Sequence, residues 1–263
     1  MATMTRQLVT GASKGLGRAI AARLAAPGVA LALCAARESP DLQSISTDCR
    51  ARGANTIALA GDLADPATPA RLIARATDAF GGLDAVIANA GIVAPARLAD
   101  LDPAEWDRIF AVNTRGAWLL AKAAYPHLKS SRGAFVAVAS MSGIEPYPGT
   151  GAYSPSKAAL IMLVRVLAQE WAADGIRVNA VSPGLFKTAM TAPVYADPDR
   201  TAAREALVPL HRIGDPARDL SGLVAFLLSP DAGYITGQNI LADGGLLGSI
   251  QTHLAGRPHS GSA

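Results

Sequence analysis

The chain has 263 residues, of which 50% are hydrophobic and 17% charged, so it can bury a large core in one or at most two domains. Its 24 lysines and arginines against 21 aspartates and glutamates leave a net charge of +3, without the cationic runs that nucleic acid or an anionic membrane surface would need, so neither partner is expected. The most apolar run, Val29 to Ala36, is too short to span a bilayer, and no signal-peptide core follows the first residues, which predicts a cytoplasmic protein.

Short apolar runs alternate with longer helical stretches as far as about residue 245, a pattern typical of a parallel sheet with helices on both faces. Seven strands are predicted, at Gln7–Gly11, Val29–Ala35, Thr56–Asp62, Ala85–Gly91, Ala134–Ser140, Arg177–Ser182 and Asn239–Asp243. Their continuous hydrophobicity indicates burial on both faces. The expected fold class is therefore α/β, a doubly wound Rossmann-type sheet in a single domain over residues 1–250.

Helices are predicted between these strands, at Gly15–Ala26, Pro66–Phe80, Pro103–Leu128, Tyr153–Ala173 and Pro216–Leu228. Asp65, Asp102 and Asp215 each precede a proline and are predicted N-caps. Residues 185–214 are too long for an ordinary connection and predict a substrate lid or short-helix insertion. Residues 251–263 are expected to form a loosely ordered tail.

A glycine-rich turn, Thr10-Gly-Ala-Ser-Lys-Gly-Leu-Gly17, directly follows the first predicted strand and opens the first helix. There, backbone N–H groups and the positive end of the helix dipole can face a pyrophosphate. The spacing departs from G-x-G-x-x-G, and a lone glycine loop is also compatible with a plain tight turn. Its place after the first strand favours a dinucleotide site.

The second predicted strand ends in Cys34-Ala-Ala-Arg37, where a carboxylate would otherwise accept hydrogen bonds from the adenosine ribose. Arg37 and Lys14 could instead flank a 2′-phosphate, which predicts NADP(H) in preference to NAD(H). The alternative is two surface cations without a ligand. Asp62 and Leu63, at the end of the third strand, are placed to contact the adenine, although an aspartate there is also a common turn former.

Tyr153 and Lys157 lie one helical turn apart at the start of a long apolar helix. A nearby ammonium and an oxidised nicotinamide would lower the pKa of the phenol, which could then act as a general acid or base. Ser140, at the end of the fifth strand, could hydrogen-bond the substrate oxygen. Such a pair of residues alone is also compatible with a solvated helix start.

Together these motifs resemble the short-chain dehydrogenase/reductase family over about residues 5 to 245, in particular its 3-oxoacyl-ACP reductase-like and carbonyl reductase members. Ala88-Asn-Ala-Gly91 is similar to the family's N-N-A-G, with Ala88 in place of the first asparagine, and Ser140 lies thirteen residues before Tyr153. The resemblance implies Ser140, Tyr153, Lys157 and Asn113 as catalytic residues, Asn113 supporting a water relay beside the lysine. It implies that Lys157 binds the nicotinamide ribose, and that Pro183, Gly184 and Thr188 contact the carboxamide. The candidate cofactor-binding residues are Gly11, Ser13, Lys14, Gly15, Leu16, Gly17, Arg37, Asp62, Leu63, Asn89, Ala90, Gly91, Tyr153, Lys157, Pro183, Gly184 and Thr188.

The expected activity is hydride transfer between NADP(H) and a carbonyl or secondary alcohol. Alternatives are an NAD-dependent alcohol dehydrogenase of the same fold, a dehydratase or epimerase, and a nucleotide-binding sensor or scaffold without turnover. The small-molecule substrate is not specified by residues that could line its pocket: Met141, Ser142, Glu145, Tyr147, Leu185, Met190, Tyr195 and His211.

The helix from Tyr153 is apolar on more than one face, which favours a homotetramer or homodimer. The two cysteines, Cys34 and Cys49, have no paired spacing with each other or with the four histidines, so neither a disulfide nor a metal site is predicted.

Overall fold

The computed structural model describes residues 5–249. The strands are β1 Thr5–Thr10, β2 Val29–Ala35, β3 Asn55–Ala60, β4 Ala85–Ala88, β5 Ala134–Val138, β6 Arg177–Pro183 and β7 Asn239–Ala242. The α-helices are α1 Gly15–Leu24, α2 Pro40–Ala51, α3 Thr68–Phe80, α4 Pro103–Phe110, α5 Gly116–Ser131, α6 Tyr153–Trp171, α7 Ala192–Tyr195, α8 Pro198–Leu207 and α9 Ser221–Leu228. Two π-helical turns cover Ala111–Arg115 and Pro216–Leu220. Single 3₁₀ turns cover Met141–Gly143, Ala172–Asp174 and Pro230–Ala232.

The strands form one sheet in the order β3-β2-β1-β4-β5-β6-β7, and every neighbouring pair is parallel. The chain therefore winds outward from β1 to β3 and then crosses back to place β4 on the other side of β1. The loops after β1 and β4 leave the sheet in opposite directions, and the crevice between them is where ligands bind in such sheets. The predicted fold class is confirmed.

Two apolar layers cover the two faces of the sheet. One layer packs α3, α5 and α6 against the strands, and the other packs α1, α2 and α9 against the opposite face. Leu120 of α5 and Ile20 of α1 are both fully buried, one in each layer. Burial on both faces explains why the strands are continuously hydrophobic rather than alternating.

Helix α2 was missing from the predicted elements. It begins after Ser39, whose hydroxyl accepts a hydrogen bond from the Leu42 amide at 3.2 Å, with Pro40 in the first turn. Its buried side chains include Leu42, Ile45 and Cys49, spaced three and four residues apart along one face. The helix is otherwise so polar that this narrow stripe is easily missed.

The helix predicted over Pro103–Leu128 is wrong as a single element, because the π-helical turn Ala111–Arg115 interrupts it between α4 and α5. Asp102 is confirmed as an N-cap and accepts from the Ala104 amide at 2.8 Å. Asp215 is likewise confirmed, although the segment after it starts as a π turn before α9. Asp65 instead caps a turn ahead of α3, since its carboxylate accepts from the Ala67 amide.

Residues 185–214 leave the sheet after β6 and return to it before the last helix. Phe186 and Gly214 form a parallel bridge, and the Gly214 amide donates to Leu185 O at 2.9 Å, so the two ends of the segment are held together. Neither α7 nor α8, which lie within it, has a buried residue. We call residues 185–214 the insert. The predicted tail, residues 251–263, lies outside the described residues.

Candidate active site

The glycine-rich turn lies at the carboxyl end of β1, near the middle of the sheet. Gly11 and Gly15 have φ of +65° and +55°, in the left-handed region that favours glycine. A Cβ at Gly17 would overlap the carbonyl of Gly11 and the amide of Asn89. Helix α1 begins at Gly15, so its first N–H groups face the turn. The backbone is thus close-packed in the way that a pyrophosphate cradle requires.

Two polar side chains, one at the end of β1 and one just after β4, connect the turn to the segment after β4. Thr10 Oγ1 accepts from the amides of Asn89 and Ala90 at 3.0 and 3.1 Å. Asn89 Nδ2 in turn donates to the carbonyls of Thr10 and Gly11 at 2.9 and 3.2 Å. Ala88, which replaces the first asparagine of the family pattern, lies in the core. Thr10 and the second asparagine therefore support the turn through four side chain–backbone contacts, two from each side chain.

Two adjoining cavities form one cleft over this turn. The first, about 240 Å³, is lined by Gly11, Ser13, Lys14, Gly15, Leu16, Asn89, Ala90, Gly91, Val138, Ala139, Tyr153, Lys157, Thr188, Ala189 and Met190. The second, about 220 Å³, shares Gly11, Ser13, Ala90 and Gly91 with it and extends to the ends of β2 and β3, where Asp62 and Leu63 line it. An elongated cleft with a glycine cradle at its centre fits a dinucleotide. Gly17, Arg37, Pro183 and Gly184 are the candidate cofactor residues outside both linings.

At the β2 end of the cleft, Ala36 lines the cavity and Arg37 follows it as an exposed side chain. The Lys14 ammonium is not free to contact a ligand at this end of the cleft, because it pairs with Asp41 at 2.9 Å. Asp62 pairs with Arg108 at 3.1 Å and also accepts from the Ala64 amide. That amide hydrogen bond is the main cause of the lowered pKa of Asp62, and the contact with Arg108 lowers the pKa further. A carboxylate is therefore present at the end of β3, but none ends β2.

Thr188 connects the insert to the glycine turn. A Cβ at Gly15 would lie 3.4 Å from Thr188 Cβ, and the Thr188 amide donates to Thr191 Oγ1 at 2.9 Å. Pro183 is buried at the end of β6, and the Gly184 amide donates to Ala242 O at 2.9 Å. Only Thr188 of the predicted carboxamide segment therefore faces the cleft.

The serine, tyrosine and lysine come together at the β5 side of the cleft. Ser140 is the second residue after β5, and its hydroxyl accepts from the Ser142 amide at 3.1 Å. Tyr153 is the first residue of α6 and Lys157 lies one turn later, with its Nζ 5.8 Å from the centroid of the phenol ring. Lys157 Nζ donates to Val138 O at 2.8 Å and is 3% exposed as a residue. An ammonium held this deeply has no carboxylate partner in residues 5–249.

Burial is the main cause of the pKa shifts of both Lys157 and Tyr153. It lowers the pKa of Lys157 from 10.5 to about 8, because the charged ammonium is poorly solvated. It also raises the pKa of Tyr153, while hydrogen bonding with Ser140 lowers it. For the protein alone, the phenol thus shifts opposite to the direction expected from a neighbouring ammonium. The lowering by Lys157 stays a prediction for the complex with oxidised cofactor.

Asn113 lies in the π-helical turn after α4 and is 1% exposed. Its Oδ1 accepts from the Ile92 amide at 2.8 Å, and its Nδ2 donates to Ile92 O at 2.9 Å and to Ser156 Oγ at 3.0 Å. Ser156 is the neighbour of Lys157 on α6. The side chain therefore ties the loop after β4 to the helix that carries Tyr153 and Lys157.

The residues predicted to shape the substrate pocket are divided among several cavities. Ser142, Glu145 and Tyr147 line one of about 420 Å³ beside the start of α6, whereas Met190 lines the cavity that contains Tyr153. Leu185 and Tyr195 line two others, and Met141 and His211 line none of those described. The structure thus brings the candidate catalytic residues together, whereas the residues predicted to contact the substrate do not form one pocket.

Two residues that shape the site were not among the candidates. One is Thr10, the first residue of the glycine motif, and that place in the motif is its only signal in the sequence. Arg108 of α4 lines the adenosine end of the cleft and pairs with Asp62, which is 46 residues earlier in the chain. No local pattern marks such a distant contact.

Residues 5–249 hold no cluster of three histidine, cysteine or acidic side chains that could bind a metal ion. Over the same range, every helix is too short or too polar to cross a membrane.

Known proteins with similar sequences are reductases and dehydrogenases. A family model described as enoyl-(acyl carrier protein) reductase matches residues 11–247. L-Rhamnose 1-dehydrogenase (NAD(P)(+)) of Sphingomonas sp. (strain SKA58) is 36% identical over 246 residues, which cover 93% of this chain and 96% of that protein.

Solved structures give the same result. A short-chain type dehydrogenase/reductase from Mycobacterium marinum superposes with a TM-score of 0.85 at 34% identity, covering 93% of this chain and 96% of that one. The Pseudomonas aeruginosa RhlG/NADP active-site complex superposes with a TM-score of 0.86 at 30% identity, covering 93% and 97%. The chain therefore belongs to the short-chain dehydrogenase/reductase family of NAD(P)-dependent oxidoreductases, which act on carbonyl and alcohol groups.

Proposed function

We propose that this enzyme transfers a hydride between NADP(H) and a ketone or secondary alcohol, with Tyr153 as general acid and base. The observation that carries the proposal is the pair Tyr153 and Lys157 in the cleft whose floor is the glycine turn, with Ser140 hydrogen-bonded to Tyr153. When bound, the cofactor supplies or accepts the hydride. The protein contributes orientation and a proton.

In reduction, Tyr153 gives its phenolic proton to the carbonyl oxygen, and in oxidation it takes the proton of the hydroxyl. Ser140 orients that oxygen with its own hydroxyl. Lys157 holds the nicotinamide ribose and favours the phenolate once the oxidised ring adds positive charge. Asn113 keeps the helix turn beside Lys157 in place and supports a proton path to solvent.

The preference for NADP(H) is supported by the absence of a carboxylate at the end of β2 and by Arg37, which has no ion-pair partner within residues 5–249. The ion pair between Lys14 and Asp41 favours the alternative, an NAD-dependent alcohol dehydrogenase, because that lysine must leave its partner to reach a 2′-phosphate. Arg37 is therefore the residue on which the preference rests.

Titration with NADPH and NADH, followed by nucleotide fluorescence, tests the preference. We expect NADPH to bind at least about tenfold more tightly, since one charge-assisted contact is worth roughly 1.5–3 kcal/mol, and Arg37→Gln to abolish the difference. Arg52→Gln, an exposed arginine at the end of α2, is the matched control. Tighter NADH binding would contradict the preference, and binding of neither would favour the sensor or scaffold alternative.

A dehydratase or epimerase would use the same cleft without net redox change. Product formation with no change in absorbance at 340 nm would identify it.

We further propose that the insert acts as a substrate lid and that two or four copies associate. Met162 and Val166 of α6 are 54% and 45% exposed, and Trp118 of α5 is 43% exposed, so apolar side chains of both helices are available to a second copy. Light scattering after gel filtration should give a multiple of 26.9 kDa, and a single-chain mass would contradict association. The cytoplasmic location stays a prediction.

A further inference from the structure

One cation of the insert faces the loop that joins the candidate serine and tyrosine. Arg204 of α8 donates from Nη2 to the Tyr147 hydroxyl at 3.2 Å, and its guanidinium lies 5.5 Å from the centroid of the Tyr195 ring. The side chain is half-buried, yet within residues 5–249 it has no carboxylate partner. Arg200, one turn earlier on the same helix, pairs with Asp197 at 3.0 Å. Of the two arginines of α8, Arg204 is thus the one without a carboxylate partner in the described chain.

Tyr147 lies on the loop that leads to Tyr153 and lines the cavity of about 420 Å³ beside the start of α6. Thr150 Oγ1 donates to Tyr147 O at 2.8 Å and lies 3.3 Å from Ser154 Oγ, next to Tyr153. Met190, on the same insert as Arg204, lines the cavity that contains Tyr153. The contact between Arg204 and Tyr147 therefore joins the insert to the loop above the reacting groups.

Arg204 and its neighbours have more hydrogen-bond donors than the described protein groups accept. A guanidinium has five N–H bonds in a planar fork, and the Tyr147 hydroxyl, having accepted one of them, can still donate its own proton. The Tyr195 hydroxyl is also buried without a hydrogen-bond partner in the described chain. A carboxylate is planar and shares one negative charge between two oxygens, so it matches one guanidinium flanked by a hydroxyl. A dianionic phosphate would require more positive charge.

We infer that Arg204 and Tyr147 bind a carboxylate of the substrate, so that the enzyme acts on oxo acids or hydroxy acids whose carboxylate is remote from the reacting carbon. This rests on the proposed function. The stacking of Tyr195 on Arg204 holds the guanidinium in place, and binding of the carboxylate would draw the insert towards the loop above Tyr153. Arg204 is thus a specificity-determining residue for the reaction, and Tyr195 a positioning residue.

The test uses pairs of ketones that differ only in charge: 4-acetylbenzoate with 4-acetylbenzamide, and 5-oxohexanoate with 5-oxohexanamide. We expect the wild-type kcat/KM with NADPH to favour each acid over its amide by about 10- to 100-fold, the effect of one charge-assisted contact. In Arg204→Gln that ratio should fall to near unity, mainly through KM for the acids. Arg200→Gln removes a nearby charge outside the contact and should keep the wild-type ratio.

A second measurement does not depend on turnover. Binding of the same four compounds, and of 4-acetylphenyl phosphate, is measured by calorimetry on the protein saturated with the oxidised form of the nucleotide that it binds more tightly, so that no ketone is reduced, or on the protein alone if it binds neither. Preference for the acids, lost in Arg204→Gln and reduced in Tyr147→Phe, supports the inference.

The outcomes separate this inference from the proposed function. Binding that favours the acids through Arg204, with no ketone turned over, would contradict the proposed function and support the carboxylate site. Equal use of acid and amide, failure of the wild type to bind any acid, a preference that survives in Arg204→Gln, or tighter binding of the phosphate would each overturn the carboxylate assignment. Turnover of the amides would still support the oxidoreductase.

Discussion

The two sides of the cleft are built differently. On the cofactor side, Thr10 and Asn89 bind backbone groups of neighbouring loops, and Lys157 and Asn113 are almost completely buried. On the substrate side, α7 and α8 bury no residue, and Ile144, Tyr147 and Met190 are 44%, 47% and 54% exposed. The candidate catalytic residues are thus fixed by contacts with the sheet and its loops. Substrate choice depends instead on exposed side chains, which can be substituted without disturbing the core.

The largest effect should come from the cofactor side, through Tyr153→Phe. The change removes one hydroxyl from a partly buried ring, so we expect turnover to fall about 100- to 10,000-fold, the usual contribution of a general acid or base. Nucleotide affinity should stay within a few-fold, as measured by fluorescence titration. Tyr147→Phe, on the substrate side, is the matched control and should keep turnover of neutral ketones far above that of Tyr153→Phe. Substantial residual turnover in Tyr153→Phe would contradict its role.

Gly17→Ala tests how closely the glycine turn is packed. The added Cβ would overlap the Gly11 carbonyl and the Asn89 amide, so we expect a loss of about 2–3 kcal/mol in the free energy of unfolding and loss of nucleotide binding. Urea unfolding and fluorescence titration measure the two effects.

The matched control is Gly222→Ala in α9, where an added Cβ meets no atom within 4 Å. Alanine favours the helix there, so unfolding should become harder by about 0.5–1 kcal/mol. If the two substitutions changed the free energy of unfolding equally, the overlap of the added Cβ at Gly17 would not be the cause of the loss.

Lys157→Met should separate stability from activity. In the folded protein the pKa of Lys157 falls from 10.5 to about 8, so the unfolded chain binds the proton more readily between these values. The resulting loss of stability is complete below pH 8 and disappears as the pH rises to 10.5. Methionine should therefore raise the free energy of unfolding at pH 7 by about 2 kcal/mol, allowing for the lost hydrogen bond to Val138 O, while turnover is lost.

Urea unfolding at pH 7 and at pH 10.5 measures this effect. At the higher pH the gain should nearly vanish, because the lysine is neutral in the folded protein and half neutral in the unfolded chain. Lys122→Met, at an exposed position on α5, should change stability little at either pH. A gain that is the same at both pH values would show that packing, not charge, is responsible.

The smallest effect is expected at the anchored end of the insert. Asp219 accepts from Arg212 Nη2 at 2.8 Å and from the Asp215 amide at 2.8 Å, and its contact with Arg212 lowers the pKa of Asp219 to about 2. Asp219→Asn should cost about 1 kcal/mol at pH 7, since the pair is partly exposed.

A carboxyl with a lowered pKa contributes its stability above pH 3.8 and loses it as the pH falls towards 2, so the difference between Asp219→Asn and wild type should shrink in acid. Unfolding by urea at pH 7 and pH 2.5 checks this. Effects of Asp219→Asn and Arg212→Gln that simply add would contradict a direct interaction between the two side chains.

The sequence predicts most of the cofactor side because its signals are local. The glycine turn, the Tyr153–Lys157 spacing and the seven apolar runs each fall within a few residues. Helix α2 is not predicted because its apolar stripe is narrow. The contact of Arg108 with Asp62 is not predicted because it forms only when the sheet has folded. The substrate side is harder still, since Arg204 meets Tyr147 from a position 57 residues later in the chain, and a single arginine on a polar helix has no distinguishing pattern.

The π-helical turn Ala111–Arg115 has a consequence for how this chain can vary in length. A wide turn holds one more residue than an α-helical turn, and each residue advances a helix by about 100°. Deleting one residue within this turn would leave an ordinary α-helical turn and keep the faces of α4 and α5 in register. Deleting one residue after the turn and before Leu120 would instead rotate the rest of α5 by about 100°, and Leu120, Ala124 and Leu128, which face the sheet, would then point elsewhere. A change of length is therefore tolerable in the wide turn, provided that Asn113 is kept, where it is not tolerable in α5 itself.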